Sequence, residues 1–289
     1  MKLTDINIRD PFVLCDDNKY YLYGTRAKDF GVNTKGFDVY ASNDLENWSN
    51  PIECFNSEMN NLNRGVNWAP EVHKYNGFYY MFATFTKENN LRGTYILKSD
   101  NPKGPFVPHS HGAVTPYEWE CLDGTLYIGT DGAPYIVFCH EHTQIKDGTI
   151  CYSKLKDDLT AACSKPVTLF SGSSLLQASH LKNGHYVTDG PFMYRTTDGT
   201  LLMIWSTFIG GEYAECIAKS DNGGIDGNFV HLDPLITDDG GHGMIFTADN
   251  KLMLTFHSPN KTNFERPVFK ELIAVSYTHL RAHETSLHL

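Results

Sequence analysis

The chain has little positive charge: 24 Lys and Arg stand against 34 Asp and Glu, for a formal net charge of −10. A protein that binds nucleic-acid backbone neutralises phosphates with a basic patch, so this balance argues against that partner and favours a neutral or cationic ligand. Long apolar runs are also missing. No stretch approaches the roughly 20 residues of a membrane helix, and Met1-Lys2-Leu3-Thr4-Asp5 lacks the apolar segment of a secretory leader. The expectation is a soluble protein without a membrane partner, cytoplasmic as the sequence stands and secreted or periplasmic if the N-terminus is incomplete. The seven cysteines (15, 54, 121, 139, 151, 163 and 216) contain no C-x-x-C pair. An odd, dispersed set reads as reduced, buried thiols, not as a disulfide framework or a zinc site. No segment keeps a helical period, which predicts almost no helix beyond isolated turns.

What is present is globular: 41% hydrophobic and 20% charged residues, with 24 Gly, 16 Tyr and 17 Phe suited to many short strands joined by tight turns. One phrase occurs five times. A turn centred on an acid or a His leads into a strand, a short turn, and a second strand rich in aromatics. Its first halves are Arg9-Asp10-Pro11-Phe12, Pro70-Glu71-Val72-His73, Leu122-Asp123-Gly124-Thr125, Thr188-Asp189-Gly190-Pro191 and Gly241-His242-Gly243-Met244. Each is followed by a run such as Tyr20-Tyr21-Leu22-Tyr23 or Leu201-Leu202-Met203-Ile204-Trp205, and then by a further pair of strand-like segments. Units of roughly 50–65 residues with four strands each predict an all-β fold, a five-bladed β-propeller with four-stranded antiparallel blades around a central channel. The near-continuous apolar runs fit strands covered on both faces by neighbouring blades. The propeller is expected to fill residues 1–274. The tail 275–289, with His279, His283 and His288, continues no repeat and resembles the translated read-through of a sequencing adapter. A metal-binding tail is the sharper reading of the same residues, but the spacing fits no ligand template.

First strands of propeller blades surround one channel, so Asp10, Glu71, Asp123, Asp189 and His242 are expected to converge on one mouth. Carboxylates gathered in such a cleft acquire different pKa values, which is the division of labour that glycoside hydrolysis requires. For any single acid, the role of a turn residue bonding its own backbone stays open beside catalysis.

The motifs Arg9-Asp10-Pro11, Trp68-Ala69-Pro70-Glu71, Leu122-Asp123-Gly124, Thr188-Asp189-Gly190-Pro191, Gly241-His242-Gly243-Met244-Ile245-Phe246 and His257-Ser258-Pro259-Asn260 follow one another in order. In them the chain resembles glycoside hydrolase family 43, propellers acting on arabinose- and xylose-containing glycans, over about residues 5 to 273. The resemblance implies Asp10 as the general base, Asp189 as the general acid and Asp123 as the residue that orients the acid and tunes its pKa. It also implies inversion at the anomeric carbon, release of L-arabinofuranose or D-xylose, and an oligosaccharide or polysaccharide substrate. Arg9, Trp68, Glu71, Phe30 and Trp205 are the candidate substrate-binding residues. His242 resembles the axial histidine of the family, so no cofactor is required but a calcium ion on the propeller axis is an open expectation. The chain departs from the pattern at Asp189, where the family carries Glu. This leaves a shifted but competent acid, a substitute such as Glu215, or a carbohydrate-binding propeller without turnover. A protein-interaction propeller fits the fold but leaves the converging acids unexplained.

Overall fold

A computed structural model describes residues 1–31, 35–276 and 279–282. Among the described residues twenty strands form five four-stranded antiparallel sheets, each a meander in chain order. Blade 1 holds β1 (Ile8–Asp16), β2 (Lys19–Arg26), β3 (Gly36–Ser42) and β4 (Ile52–Asn56). Blade 2 holds β5 (Asn67–Tyr75), β6 (Phe78–Thr86), β7 (Arg92–Ser99) and β8 (Val107–Pro108). Blade 3 holds β9 (Cys121–Ile128), β10 (Pro134–His140), β11 (Thr149–Lys154) and β12 (Val167–Ser171). Blade 4 holds β13 (Asp189–Arg195), β14 (Leu201–Ile209), β15 (Glu212–Ser220) and β16 (Phe229–His231), and blade 5 holds β17 (Gly241–Ala248), β18 (Lys251–Ser258), β19 (Arg266–Ser276) and β20 (His279–Ala282). The five-bladed propeller expected from the repeat is the observed fold. The one α-helix among the described residues is a single turn, His142–Ile145, and no described helix is long and apolar enough to cross a membrane.

The sequence reading ended the propeller at 274. Four residues beyond that point, His279–Ala282, pair with β19 and take the fourth-strand place in blade 5, with Leu280 buried. The rest of the tail, residues 277–278 and 283–289, lies outside the described residues.

Turn chemistry sets the hairpins. Asp17-Asn18, Asn76-Gly77 and Asp249-Asn250 all have positive φ and join the first two strands of blades 1, 2 and 5 as two-residue turns, the geometry whose twist matches paired strands. The core is laid down in sheets between blades. Phe82, Ile96, Ile136 and Phe138 fill the layer between blades 2 and 3, Val137, Phe170, Met203 and Trp205 that between blades 3 and 4, and Ile204, Ile217, Leu254 and Phe256 that between blades 4 and 5. All seven cysteines are free, and five of them are buried.

Each first strand carries a β-bulge where its register slips against the second strand. The first bulge residues are Asp10, Ala69, Asp123, Gly190 and His242, all with φ between 46° and 55°. A bulge re-aims side chains at a sheet end. Three of these bulge residues, Asp10, Asp123 and His242, line one cavity.

Candidate active site

Consecutive residues of a regular strand face opposite ways. The bulge in β1 breaks that rule, so Arg9 and Asp10 both line one cavity at the channel mouth. The same cavity is lined by Asp123 of blade 3, Asp189 of blade 4 and His242 of blade 5, and by Phe30, Trp68, Arg92, Glu141 and His142. Three acids distant in sequence thus share one cleft.

Asp10 is held as an anion. Its Oδ2 accepts from Thr25 Oγ1 at 2.6 Å, and its Oδ1 lies 3.3 Å from Arg9 Nε and 3.2 Å from His242 Nδ1. Burial alone would raise its pKa, but His242 and the Arg9 guanidinium outweigh burial and push the carboxyl well below the usual carboxylate range. Arg9 is fixed in turn by Glu265, 3.2 Å from Nη1, and its guanidinium lies 3.9 Å from the centre of the Phe30 ring.

Asp123 and Asp189 behave as a pair. Asp123 is buried and Asp189 half-buried, and the two are hydrogen-bonded to each other. Burial, and then the charge of Asp189, lifts Asp123 well above the usual carboxylate range. For Asp189 burial acts upward as well, but the bond from Asp123, then His242 and the Tyr213 hydroxyl at 2.7 Å, hold it low. Two adjacent carboxylates in one cleft resist ionising together, so at rest the pair keeps one proton, held on the Asp123 side.

His257 sits beneath Asp10 and is fully buried. Its Nδ1 accepts the Asp10 backbone N–H at 3.2 Å, so the proton of the neutral ring is on Nε2, which faces Asn260 Oδ1 at 3.4 Å. Burial, reinforced by Arg9, drives its pKa down to about 3.

Three sequence-based assignments are corrected. Glu71 lies two residues past the bulge residue Ala69, is buried, and meets His73 Nε2 at 3.2 Å in place of lining the cavity. The acid was aligned with Asp10 by its charge, whereas the backbone aligns Ala69. Trp205 is no stacking platform either. It is fully buried in the layer between blades 3 and 4, against Phe170 at 5.1 Å and His231 at 5.5 Å. Glu215, the substitute acid, does not line the cavity either: it is fully buried, and its Oε2 accepts from Gly243 N at 2.8 Å and Ser206 Oγ at 3.2 Å.

Sequence reasoning missed Glu141, Arg92 and Tyr213. Glu141 follows β10 directly and its Oε2 accepts from Arg92 Nη2 at 2.9 Å; burial, opposed by Arg92, pushes its pKa up to about 7. Arg92 also pairs with Glu120 and lies 5.1 Å over the Trp68 ring. The run Cys139-His140-Glu141-His142, polar immediately after an apolar strand, was the available signal.

Asp123, Asp189 and His242 place one donor atom each within 4.8 Å of one another. This set does not fit calcium, which takes about six to eight oxygen ligands. Two of the three donors are carboxylates engaged with each other, and the third is an imidazole whose Nδ1 faces Asp10 and Asp123.

A propeller whose mouth gathers one ionised carboxylate and a proton-holding carboxylate pair, flanked by aromatic and arginine side chains, has the makings of an acid–base hydrolase of sugars. The model of glycosyl hydrolases family 43 matches residues 4–274, and the chain belongs to that family. The solved structure of endo-arabinase from Bacteroides thetaiotaomicron VPI-5482 is 38% identical, with a TM-score of 0.87, covering 94% of this chain and 96% of that one. A xylosidase/arabinosidase of Bacteroides ovatus is 26% identical over 136 residues, 41% of this chain and 42% of that protein. A putative beta-xylosidase of Xylanibacter ruminicola is 31% identical over 131 residues, 42% of this chain and 24% of that protein. The matched part thus spans less than half the length of these curated relatives.

Proposed function

We propose that the protein is an inverting glycosidase that releases L-arabinofuranose or D-xylose from plant-type glycans or their oligosaccharides. The observation that carries this reading is the gathering of Asp10, Asp123 and Asp189 in one cavity, Asp10 against His242 and Arg9 and the other two against each other. Asp10 is held ionised by His242 and Arg9, while the Asp123–Asp189 pair retains a proton.

In the proposed reaction, Asp10 takes a proton from a water as that water attacks the anomeric carbon, and Asp189 gives its proton to the departing glycosidic oxygen. Asp123 supplies that proton to Asp189 across their shared hydrogen bond. Tyr213 steadies the Asp189 carboxylate that is left. Trp68 and Phe30, 5.1 Å apart at the cavity wall, offer apolar faces to the sugar ring. Arg9 and the Arg92–Glu141 pair offer hydrogen bonds to its hydroxyls. Water and carboxylates suffice for these steps, so the reaction calls on no cofactor.

The test is hydrolysis of aryl α-L-arabinofuranosides and β-D-xylosides, with the anomer of the first-formed sugar followed by NMR. Inverted product, and a fall in kcat of about 10²–10⁴-fold for Asp10→Asn, is the expected result. Glycan binding without turnover in the wild-type protein, or an unchanged rate in Asp10→Asn, overturns the reading.

A further inference from the structure

One position in the second strand of every blade lies opposite the residue that precedes the bulge: Thr25, Thr84, Cys139, Ser206 and His257. At four of the five blade junctions its side chain accepts the backbone N–H of the next blade's bulge residue. Thr25 Oγ1 takes Ala69 N–H at 2.7 Å, Thr84 Oγ1 takes Asp123 N–H at 3.0 Å, Ser206 Oγ takes His242 N–H at 2.7 Å, and His257 Nδ1 takes Asp10 N–H at 3.2 Å. The ring of bonds therefore runs from blade to blade and back to the first.

It is broken once, between blades 3 and 4. There the position is Cys139, fully buried, whose sulfur is a weak acceptor. The Gly190 N–H bypasses it and donates to Asp123 Oδ2 at 3.2 Å. Blade 1 shows what a hydroxyl does at this place. Thr25 accepts the neighbouring amide and donates to Asp10 Oδ2 at 2.6 Å, so it stands between amide and carboxylate. Asp123 occupies in blade 3 the place of Asp10 in blade 1, and residue 139 the place of Thr25. Gly190 itself is held against His242: a Cβ there would lie 2.6 Å from His242 Cδ2.

We propose that the Gly190 amide is diverted from the interblade ring to clamp the Asp123 carboxyl directly against Asp189, and that the sulfur side chain at 139 is what permits this. Gly190 and Cys139 are positioning residues. They act on the reaction only through Asp123, and their effect on turnover rests on the glycosidase reading. A hydroxyl at 139 would intercept the amide, as Thr25 does, and let Asp123 move away from its partner.

The experiment compares Cys139→Ser with Cys139→Ala, using thermal melting to verify folding, kcat and KM on an aryl glycoside, and the Gly190 amide proton in ¹⁵N-labelled protein. The expected result is a kcat for Cys139→Ser about tenfold below that of Cys139→Ala, with KM values that agree within about twofold. The Gly190 resonance moves upfield in the serine variant alone, because a bond to a carboxylate is stronger than one to a hydroxyl. Equal kcat values with an unmoved Gly190 resonance in both variants overturn the proposal. If the wild-type protein hydrolyses no glycoside, the functional reading fails and the Gly190 resonance alone decides this one. Should Cys139→Ser not fold, Cys139→Thr, which copies blades 1 and 2, carries the same expectations.

Discussion

Asp189 meets Tyr213 Oη at 2.7 Å and shares a proton with Asp123, although its side chain is one methylene shorter than the glutamate of the family pattern. Both contacts favour its ionised form at rest, so in the proposed donor role it draws on the proton held by Asp123. The donor role has a clear kinetic signature. A leaving group that departs without protonation does not need the acid. Asp189→Ala is therefore expected to lower kcat/KM on a natural oligosaccharide by about 10²–10⁴-fold. Its loss on an activated aryl glycoside, such as a dinitrophenyl derivative, should be about tenfold or less. Equal losses on both substrates would remove Asp189 from the role of acid.

At the scale of elements, the bulge in each first strand explains what could and could not be read beforehand. Aromatic strand pairs with Asn-Gly and Asp-Asn turns made the five blades legible, and Asp10, Asp123 and His242 fell on equivalent positions because each is itself the first bulge residue. In blades 2 and 4 the bulge residues are Ala69 and Gly190, which carry no charge to align on. Glu71 was accordingly placed two residues out, and Asp189, one residue before its bulge, reached the cavity by a different route from Asp10. Burial of a tryptophan cannot be read from its neighbours in sequence either, since Trp68 and Trp205 both lie in strands and only the stacking of blades separates wall from core. The two should respond differently to truncation. Trp68→Ala is expected to raise KM with stability changed by less than about 1 kcal/mol, because the ring is only partly buried. Trp205→Ala is expected to cost about 3–5 kcal/mol in denaturant unfolding, from the void left between blades 3 and 4. A Trp205→Ala protein of undiminished stability would contradict its place in the core.

Across the whole molecule, the ring closes without exchange of a strand: blade 1 is built from the first four strands and blade 5 from the last four described. The seam depends on side-chain and packing contacts, including the bond from Asp10 N–H to His257 Nδ1. That bond requires a neutral ring, and His257 is surrounded by Arg9, Asp10, His242 and Asn260. Its pKa is about 3 in the folded protein against 6.5 ordinarily. Above pH 6.5 the ring is neutral in both states and costs nothing. Between about 6.5 and 3 the unfolded chain binds a proton that the folded one refuses, so this group withdraws stability as the pH falls. Glu141, raised to about 7 in the fold, works the other way between about 4.5 and 7, so the net slope of the wild-type protein mixes both. The comparison with His257→Asn removes that ambiguity, because Glu141 is common to both proteins and asparagine keeps an acceptor without titrating. From pH 6.5 to 4.5 the variant is expected to gain on the wild type by about 2–3 kcal/mol, read from denaturant midpoints at each pH. A stability difference that stays constant over this range would mean that His257 is protonated in the folded protein, and that the bond closing the ring is not the one seen here.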